Sequence, residues 1–254
     1  MSRQIAVVLA LLSIAVLCPL AARAQASAEP QAYTYVSEWT LPRAQWSDWE
    51  AFGEKDVRPI FEKLMANGAI QSWGLYTTTL HVDGYPTRGS WFETADIASV
   101  YRALAALAKL PPNPIMNSPD AKHRDFLLHS QVRRKRAASG TNGYLWVNNT
   151  HLQPGKTPQY RALYEQFLKP VLDALLADGT LVIYAMDNET IHTDNPSQIF
   201  DVYFFAGPDG QDKLYAAILE MEKKNTTFAD ALNATEVGPP HRDYIARVLS
   251  YGVK

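Results

Sequence analysis

The sequence repeats itself, and this internal repeat constrains the fold more than any single motif. Residues 169–192 match residues 58–81 at a shift of 111, with a proline, a glycine and a final histidine at equivalent positions. A second match joins the His-Arg-Asp triplet at 123–125 to the same triplet at 241–243, at a shift of 118. Two copies of one unit predict two equivalent half-structures that pack against each other.

The N-terminal segment 1–24 has the character of a secretory signal peptide. Arg3 precedes an apolar run over residues 5–17, which is too short for a membrane-spanning helix, and a small-x-small sequence ends the segment. Cleavage after Ala24 also removes Cys18, the one cysteine of the chain, and with it any disulfide or thiol nucleophile. We therefore expect a periplasmic or secreted protein with no membrane span after cleavage.

The charge balance does not indicate a nucleic-acid partner. The chain has 24 basic and 26 acidic residues, a formal net charge of −2, which provides no strongly basic surface. The one basic cluster runs from Arg133 to Arg136 and lies between the two copies. We interpret it as part of a solvated linker over residues 135–142.

Each copy shows the same order of strand and helix patterns. In the first copy (33–134) the order is strand, helix, strand, strand, helix, strand, and the second copy (143–254) repeats it. This β-α-β-β-α-β order is the split βαβ unit. The sequence therefore predicts the α+β class, with two ferredoxin-like repeats packed sheet to sheet. Pro59 and Pro170 fall inside the first helix of each copy, where proline kinks or interrupts a helix.

With this element order and internal repeat, the chain resembles the dimeric α/β-barrel superfamily, fused in tandem. The resemblance covers nearly all of residues 33–254 and identifies no particular family. It implies two ferredoxin-like sheets that close face to face into a barrel with helices outside. Known members include cofactor-independent monooxygenases, small isomerases and haem enzymes of the chlorite dismutase and peroxidase type. The resemblance thus implies a fold and leaves several activities open.

The second strand of each copy predicts a pocket. Alternation divides its residues between two faces, and we expect the face that grades from apolar to polar to point into the barrel. An apolar cavity with a few polar groups at one end is typical of small-molecule sites. The predicted lining residues on this face are Trp73, Thr79 and His81 in the first copy and Tyr184, Thr190 and His192 in the second.

Histidines and one arginine supply the candidate catalytic groups. His81 and His192 each precede an aspartate by two residues, which suits a general base, although such aspartates more often only shape a turn. His129 and Arg247 occupy equivalent positions and provide a second pairing of base and oxyanion-stabilising group. The further ligand-binding candidates, which differ between the copies, are Glu38 and His151.

The repeated His-Arg-Asp triplets have a functional and a structural interpretation. A histidine, an arginine and an aspartate together can act as base, anion clamp and orienting carboxylate. Recurrence in both copies favours a scaffold role instead, in which Arg124 and Asp125 form an ion pair at the start of the fourth strand.

These observations favour a small-molecule-binding barrel without a cofactor, acting as a monooxygenase or isomerase on small aromatic substrates. A haem protein is the alternative, with His192 or His129 as axial ligand. A non-enzymatic periplasmic binding module is the third interpretation. No residue spacing completes a metal-ion site, and a fused pair of repeats is compatible with a monomer or a homodimer.

Overall fold

Eight antiparallel strands close into one barrel in the computed structural model, which describes residues 32–191, 197–238 and 242–254. The strands are β1 (Tyr33–Thr40), β2 (Ser72–Thr78), β3 (Arg88–Thr94), β4 (Lys122–Lys135), β5 (Ala138–His151), β6 (Leu181–Glu189), β7 (Gln198–Phe205) and β8 (Arg242–Val253). The helices are α1 (Trp46–Phe52), α2 (Arg58–Ala66), α3 (Ile97–Leu107), α4 (Thr157–Leu163), α5 (Lys169–Ala177), α6 (Gly210–Lys224) and α7 (Phe228–Asn233). The predicted α+β class is confirmed.

The strands of each half are contiguous in the barrel, whose order is β1-β3-β2-β8-β5-β7-β6-β4. The first half contributes β4, β1, β3 and β2, and the second half contributes β8, β5, β7 and β6. Two ladders between the halves, β2 with β8 and β4 with β6, close the barrel. Each of these described strands therefore has a hydrogen-bonded neighbour on both sides, and the barrel has no open edge.

The first long helix of each half contains a π-helical turn directly before a proline. The turn Gly53–Val57 joins α1 to α2, and the turn Tyr164–Leu168 joins α4 to α5 at a shift of 111. Pro59 and Pro170 each lie within the first two residues of the following helix. A π-turn widens the backbone, which gives the proline ring room where α-helical geometry would produce a clash. The helical path consequently continues through both prolines.

Three buried clusters fill the molecule. One lies between the first-half helices and the outer face of the sheet and includes Phe61 and Trp73. A second occupies the same place in the second half, around Tyr164 and Tyr184. The third fills the barrel interior. Because helices cover the outside and side chains fill the inside, β2 and β6 are buried on both faces over most of their length.

The predicted linker over residues 135–142 is formed mostly by strand. Only Arg136 and Ala137 separate β4 from β5. The interpretation of the basic cluster as solvated is also wrong for Arg133, whose buried guanidinium lies 2.5 Å from the carboxylate of Glu93. A buried partner of opposite charge takes the place of solvent at this position.

Two predictions concern residues that the structure does not describe. The proposed signal peptide (1–24) and His192 lie outside the described residues. Within the described ranges, no helix combines the length and the apolar character needed to cross a bilayer.

Candidate functional site

A cavity of about 380 Å³ lies between the outer face of the first-half sheet and helices α1 to α3. A proline-rich loop after α3, residues 108–117, forms its rim. Most of the wall is aromatic or aliphatic, as is typical of small-molecule sites. The apolar lining residues include Trp49, Phe52, Val57, Phe61, Leu75, Phe92, Leu104, Leu107 and Met116. We call this space the outer cavity.

Polar groups gather at the end of the outer cavity where β1 and β4 pair. Strand alternation turns Tyr35, Ser37 and Trp39 outwards, and the β1–β4 register places Ser37 opposite Asp125 and Trp39 opposite His123. The His123 ring stacks on Trp39 with 4.0 Å between ring centroids. Its Nε2 lies 2.8 Å from Ser37 Oγ and 3.0 Å from Asp125 Oδ1. Trp39 Nε1 donates to Ser37 Oγ at 3.2 Å.

The carboxylate of Asp125 controls the electrostatics of this end. Burial opposes its ionisation, but hydrogen bonds from His123, Tyr35 and Ser37 outweigh burial and hold the Asp125 pKa below its usual value. Burial, and then the hydrogen bond to Asp125, raise the pKa of Tyr35, so this phenol stays protonated. Asp125 is therefore an ionised acceptor beside His123 over the physiological pH range.

His123 is placed to accept a proton from a ligand. Its contacts with Ser37 and Asp125 converge on one nitrogen, Nε2. A serine–histidine–aspartate relay needs its two partners on opposite ring nitrogens, so this is not a nucleophilic triad. A carboxylate at Nε2 favours the tautomer with its hydrogen there and leaves Nδ1 as the acceptor. Among the described residues, Nδ1 has no hydrogen-bond partner.

The lining also restricts the charge of a ligand. The described lining contains no lysine or arginine, and its polar members are Tyr35, Ser37, Ser90, Asn113, Asn117 and His123. A phosphate or carboxylate would enter this apolar space without a cationic partner, which is unfavourable. The outer cavity is therefore suited to an uncharged, largely apolar molecule with one hydrogen-bonding end.

The equivalent space in the second half is filled. Tyr164 stands where the first half has Gly53, and Tyr160 stands where it has Trp49. Both tyrosines are buried, and the Tyr160 hydroxyl donates to Asp201 Oδ2 at 2.5 Å. Burial raises the pKa of Asp201 to about 7, although the Tyr160 hydrogen bond acts in the opposite direction.

A second, smaller cavity of about 70 Å³ lies inside the barrel. Glu38 lines it, is 3 % exposed, and accepts from Arg124 Nε at 2.7 Å. On another part of the wall, Arg133 lies 2.5 Å from Glu93 and 3.9 Å from Asp187. Burial raises the pKa of Asp187 to about 6, with Arg133 acting in the opposite direction.

The structure reverses the predicted faces of the second strand. Trp73 and Tyr184, predicted to point inwards, pack against the helices, whereas Tyr76 and Asp187 line the barrel cavity. Both faces are buried, so hydrophobicity alone does not identify the inward one. The two predicted threonines follow the ends of the strands: Thr79 is exposed and Thr190 is half-buried.

The predicted catalytic residues do not converge on one cavity. His81 is exposed and packs its ring against Trp46, 4.5 Å between centroids. His129 points outwards and contacts the Tyr33 ring, and burial lowers its pKa. Arg247 is exposed on the outer face of β8. The two remaining ligand-binding candidates are Glu38, inside the barrel, and His151, half-buried at the end of β5.

The expected ion pair between Arg124 and Asp125 is not formed. Neighbouring residues of a strand point to opposite faces. Arg124 therefore binds Glu38 inside the barrel, while Asp125 contacts His123 outside it. The triplet identified the segment that contributes to the site. Strand alternation, applied to this segment, would have placed Arg124 and Asp125 on opposite faces of the sheet.

Metal and haem ligation can be tested against the same residues. The described residues contain no group of three or more histidine, cysteine, aspartate or glutamate side chains arranged to hold a metal ion. In the outer cavity, the described lining contains no lysine or arginine that could pair with the propionates of a haem. This lining does not fit haem.

The comparisons with known proteins agree with the fold. No family model matches the sequence, and no curated protein matches it. A proposed monooxygenase from Fusobacterium nucleatum has a TM-score of 0.61 at 8% identity, covering 89% of this chain and 96% of that one. An anthrone oxidase-like protein has a TM-score of 0.52 at 8% identity, with 88% and 93% covered. A haem-binding protein from Thermus thermophilus has a TM-score of 0.51 at 12% identity, with 86% and 91% covered. These similarities establish the fold of dimeric α/β-barrel proteins.

Proposed function

We propose that this protein binds a neutral aromatic molecule in the outer cavity and acts on it without a cofactor, as a monooxygenase or an isomerase. The single observation that carries the proposal is the cavity itself, an apolar space of about 380 Å³ with one polar end that holds His123. The folds of a proposed monooxygenase and of an anthrone oxidase-like protein are consistent with it.

The chemistry follows from the polar end. Nδ1 of His123 accepts a proton from an acidic C–H or phenolic O–H of the substrate. Asp125, at Nε2, stabilises the imidazolium that forms. The Ser37 hydroxyl donates to Asp125 and so helps to hold this carboxylate beside His123. The aromatic wall holds the ring system beside His123.

Both reaction classes share this first step. In an oxygenation, the carbanion of an activated CH₂ group reduces O₂ and forms a C–O bond. Loss of water from the resulting hydroperoxide then gives a carbonyl, so CH₂ and O₂ become C=O and H₂O. In an isomerisation, His123 returns the proton to a different carbon, and no oxidant is consumed. Oxygen uptake distinguishes the two.

The test combines binding and turnover. Purified protein is titrated with 1-naphthol by calorimetry, and O₂ uptake is followed with anthrone and a panel of phenols and quinols. His123→Gln is expected to retain binding within about threefold and to lower turnover by about 100-fold or more, the usual scale for removal of a general base. His81→Gln is compared in parallel. Loss of turnover in the His81 variant alone would favour the histidine predicted from sequence.

Two alternatives have their own readouts. A haem protein would show a Soret band after reconstitution, and its absence would exclude this alternative. A non-enzymatic binding module would bind 1-naphthol without turnover of any tested substrate. The similarity in fold to a haem-binding protein is the reason to carry out the haem reconstitution.

We also propose that the chain is exported and consists of two tandem ferredoxin-like repeats. The first two helices of each half, and the π-turn between them, recur at a shift of 111. β4 and β8 each contain a register shift, between Ser130 and Val132 and between Val248 and Ser250, at a spacing of 118. Independent elements would not share these irregularities. Export predicts a mature N-terminus at Gln25, which N-terminal sequencing of the secreted protein checks.

A further inference from the structure

The mouth of the barrel is separate from the outer cavity. The interior cavity of about 70 Å³ adjoins a space of about 100 Å³ at the end of the barrel. The two spaces share Glu38, Arg124, Arg242 and Tyr244. None of these residues lines the outer cavity, which lies on the other face of the sheet.

The two arginines of the mouth are equivalent in position but unequal in their partners. Arg124 lies opposite Glu38 in the β1–β4 ladder, and its Nε and Nη2 contact Glu38 Oε2 at 2.7 and 2.6 Å. Tyr76 donates to the other oxygen of this carboxylate at 2.9 Å. Arg242 lies opposite Asn149 in the β5–β8 ladder, at the equivalent place. The second half therefore has an uncharged amide where the first half has a carboxylate.

This exchange leaves the Arg242 charge without a close anion. In the described part of the chain no carboxylate lies within 4.0 Å of its guanidinium, although Asp243 also lines the mouth. Its guanidinium instead lies 3.5 Å from the centroid of the Tyr85 ring. Asn149 also lines the interior cavity, and its side-chain amide nitrogen is a hydrogen-bond donor.

We propose that the barrel mouth binds a small monocarboxylate, whose carboxylate group takes the place that Glu38 fills in the first half. Arg242 binds the carboxylate and the Asn149 amide donates to it, as in other charge-assisted contacts. The apolar tail enters the cavity below, where the rings of Phe126 and Phe200 lie 5.7 Å apart. The interior cavity of about 70 Å³ and the adjoining space of about 100 Å³ together limit the ligand to a single ring or a short chain.

The probes are benzoate and butyrate, with benzamide as the neutral isostere of benzoate. Titration calorimetry on the full mature chain is expected to show binding of at least one carboxylate and at least tenfold weaker binding of benzamide. Arg242→Gln is expected to weaken carboxylate binding at least tenfold. Arg102→Gln is the matched control, because it removes an arginine on α3 whose side chain is 62% exposed. This variant should leave carboxylate binding unchanged.

Asn149→Asp supplies the missing carboxylate from the chain itself. It is expected to abolish carboxylate binding and to raise the melting temperature, because it repeats the Glu38–Arg124 pair. The proposal is overturned if neither carboxylate binds at millimolar concentration, if benzamide binds equally well, or if Arg242→Gln retains binding. It is also overturned if Gly53→Tyr, which places a side chain in the outer cavity, removes benzoate binding, since the ligand would then lie in that cavity. Failure of 1-naphthol to bind would affect only the proposed function.

Discussion

The outer faces of the two halves carry the same secondary structure, yet one encloses a cavity and the other is filled. Both have a helix with a π-turn at the same place, packed on an equivalent sheet. In the first half the π-turn begins with Gly53, and the space beside it is open. In the second half it begins with Tyr164, which is 0% exposed, and the same space holds tyrosines and Asp201.

The difference teaches that this scaffold does not require the cavity for stability. A Cβ added at Gly53 would lie 3.1 Å from Leu75 Cδ1 and 3.9 Å from the ring of Trp49. The backbone at position 53 therefore lies directly against side chains of the cavity wall. In the second half, buried side chains fill the corresponding space between helix and sheet. The open first half therefore keeps a space that close packing would otherwise remove, which points to use by a ligand.

The largest expected effect comes from opening the filled half. Tyr164→Ala should lower the free energy of unfolding by roughly 3–5 kcal/mol, since it removes a fully buried aromatic ring and leaves a cavity. Urea denaturation measures this change. Gly53→Ala in the first half is the matched control, because it removes no packing, and should change stability by less than about 1 kcal/mol. A loss below 1 kcal/mol in Tyr164→Ala would show that the two halves are equally loosely packed.

The pH dependence of stability separates the halves next, because in the described second half this space contains a fully buried carboxylate, that of Asp201. The folded pKa of Asp201, about 7, lies above its unfolded value of 3.8. Its contribution is therefore fully present below about pH 4 and is lost as pH rises through 7, by on the order of 3–4 kcal/mol. Asp201→Asn should remove this slope in urea denaturation between pH 4 and 8. Asp187, whose pKa is about 6, should still contribute a smaller change in stability with pH.

The third effect tests whether the first half can be converted to resemble the second. Gly53→Tyr places the second-half side chain in the outer cavity and should weaken 1-naphthol binding by about 100-fold, because the tyrosine occupies the ligand space. Calorimetry measures the loss, and circular dichroism checks that the variant folds. Carboxylate binding at the barrel mouth, on the other face of the sheet, provides the internal control. Unchanged 1-naphthol affinity would place the ligand elsewhere.

The sequence predicted the class of fold because its repeat and its patterning agree. The strands and long helices follow the predicted order in both halves. The boundary between the halves was less predictable. A run of basic residues usually indicates solvent, but Arg133 and Lys135 both lie within 3 Å of the buried Glu93 carboxylate, a partner from a distant strand. Such long-range pairing cannot be read from local composition.

The candidate site was predicted only in part, for a physical reason. Alternation along a strand identifies the inward face when the other face meets water. Here helices cover the outside, so Trp73 is 2% exposed on one face of β2 and Tyr76 is 1% exposed on the other. The division of the strand residues between two faces was predicted correctly, but the inward and outward faces were interchanged. The segment of His123 was singled out through its triplet, yet its contact with Ser37 depends on the β1–β4 register.

Closure of the barrel within one chain has a consequence for association. The β2–β8 and β4–β6 ladders already supply the seams between the halves, so no unsatisfied backbone row among the described strands can recruit a further strand from another molecule. Any homodimer must use helices or loops. Folding of the barrel itself is consequently unimolecular, and a thermal midpoint that rises with protein concentration would report association through those other surfaces.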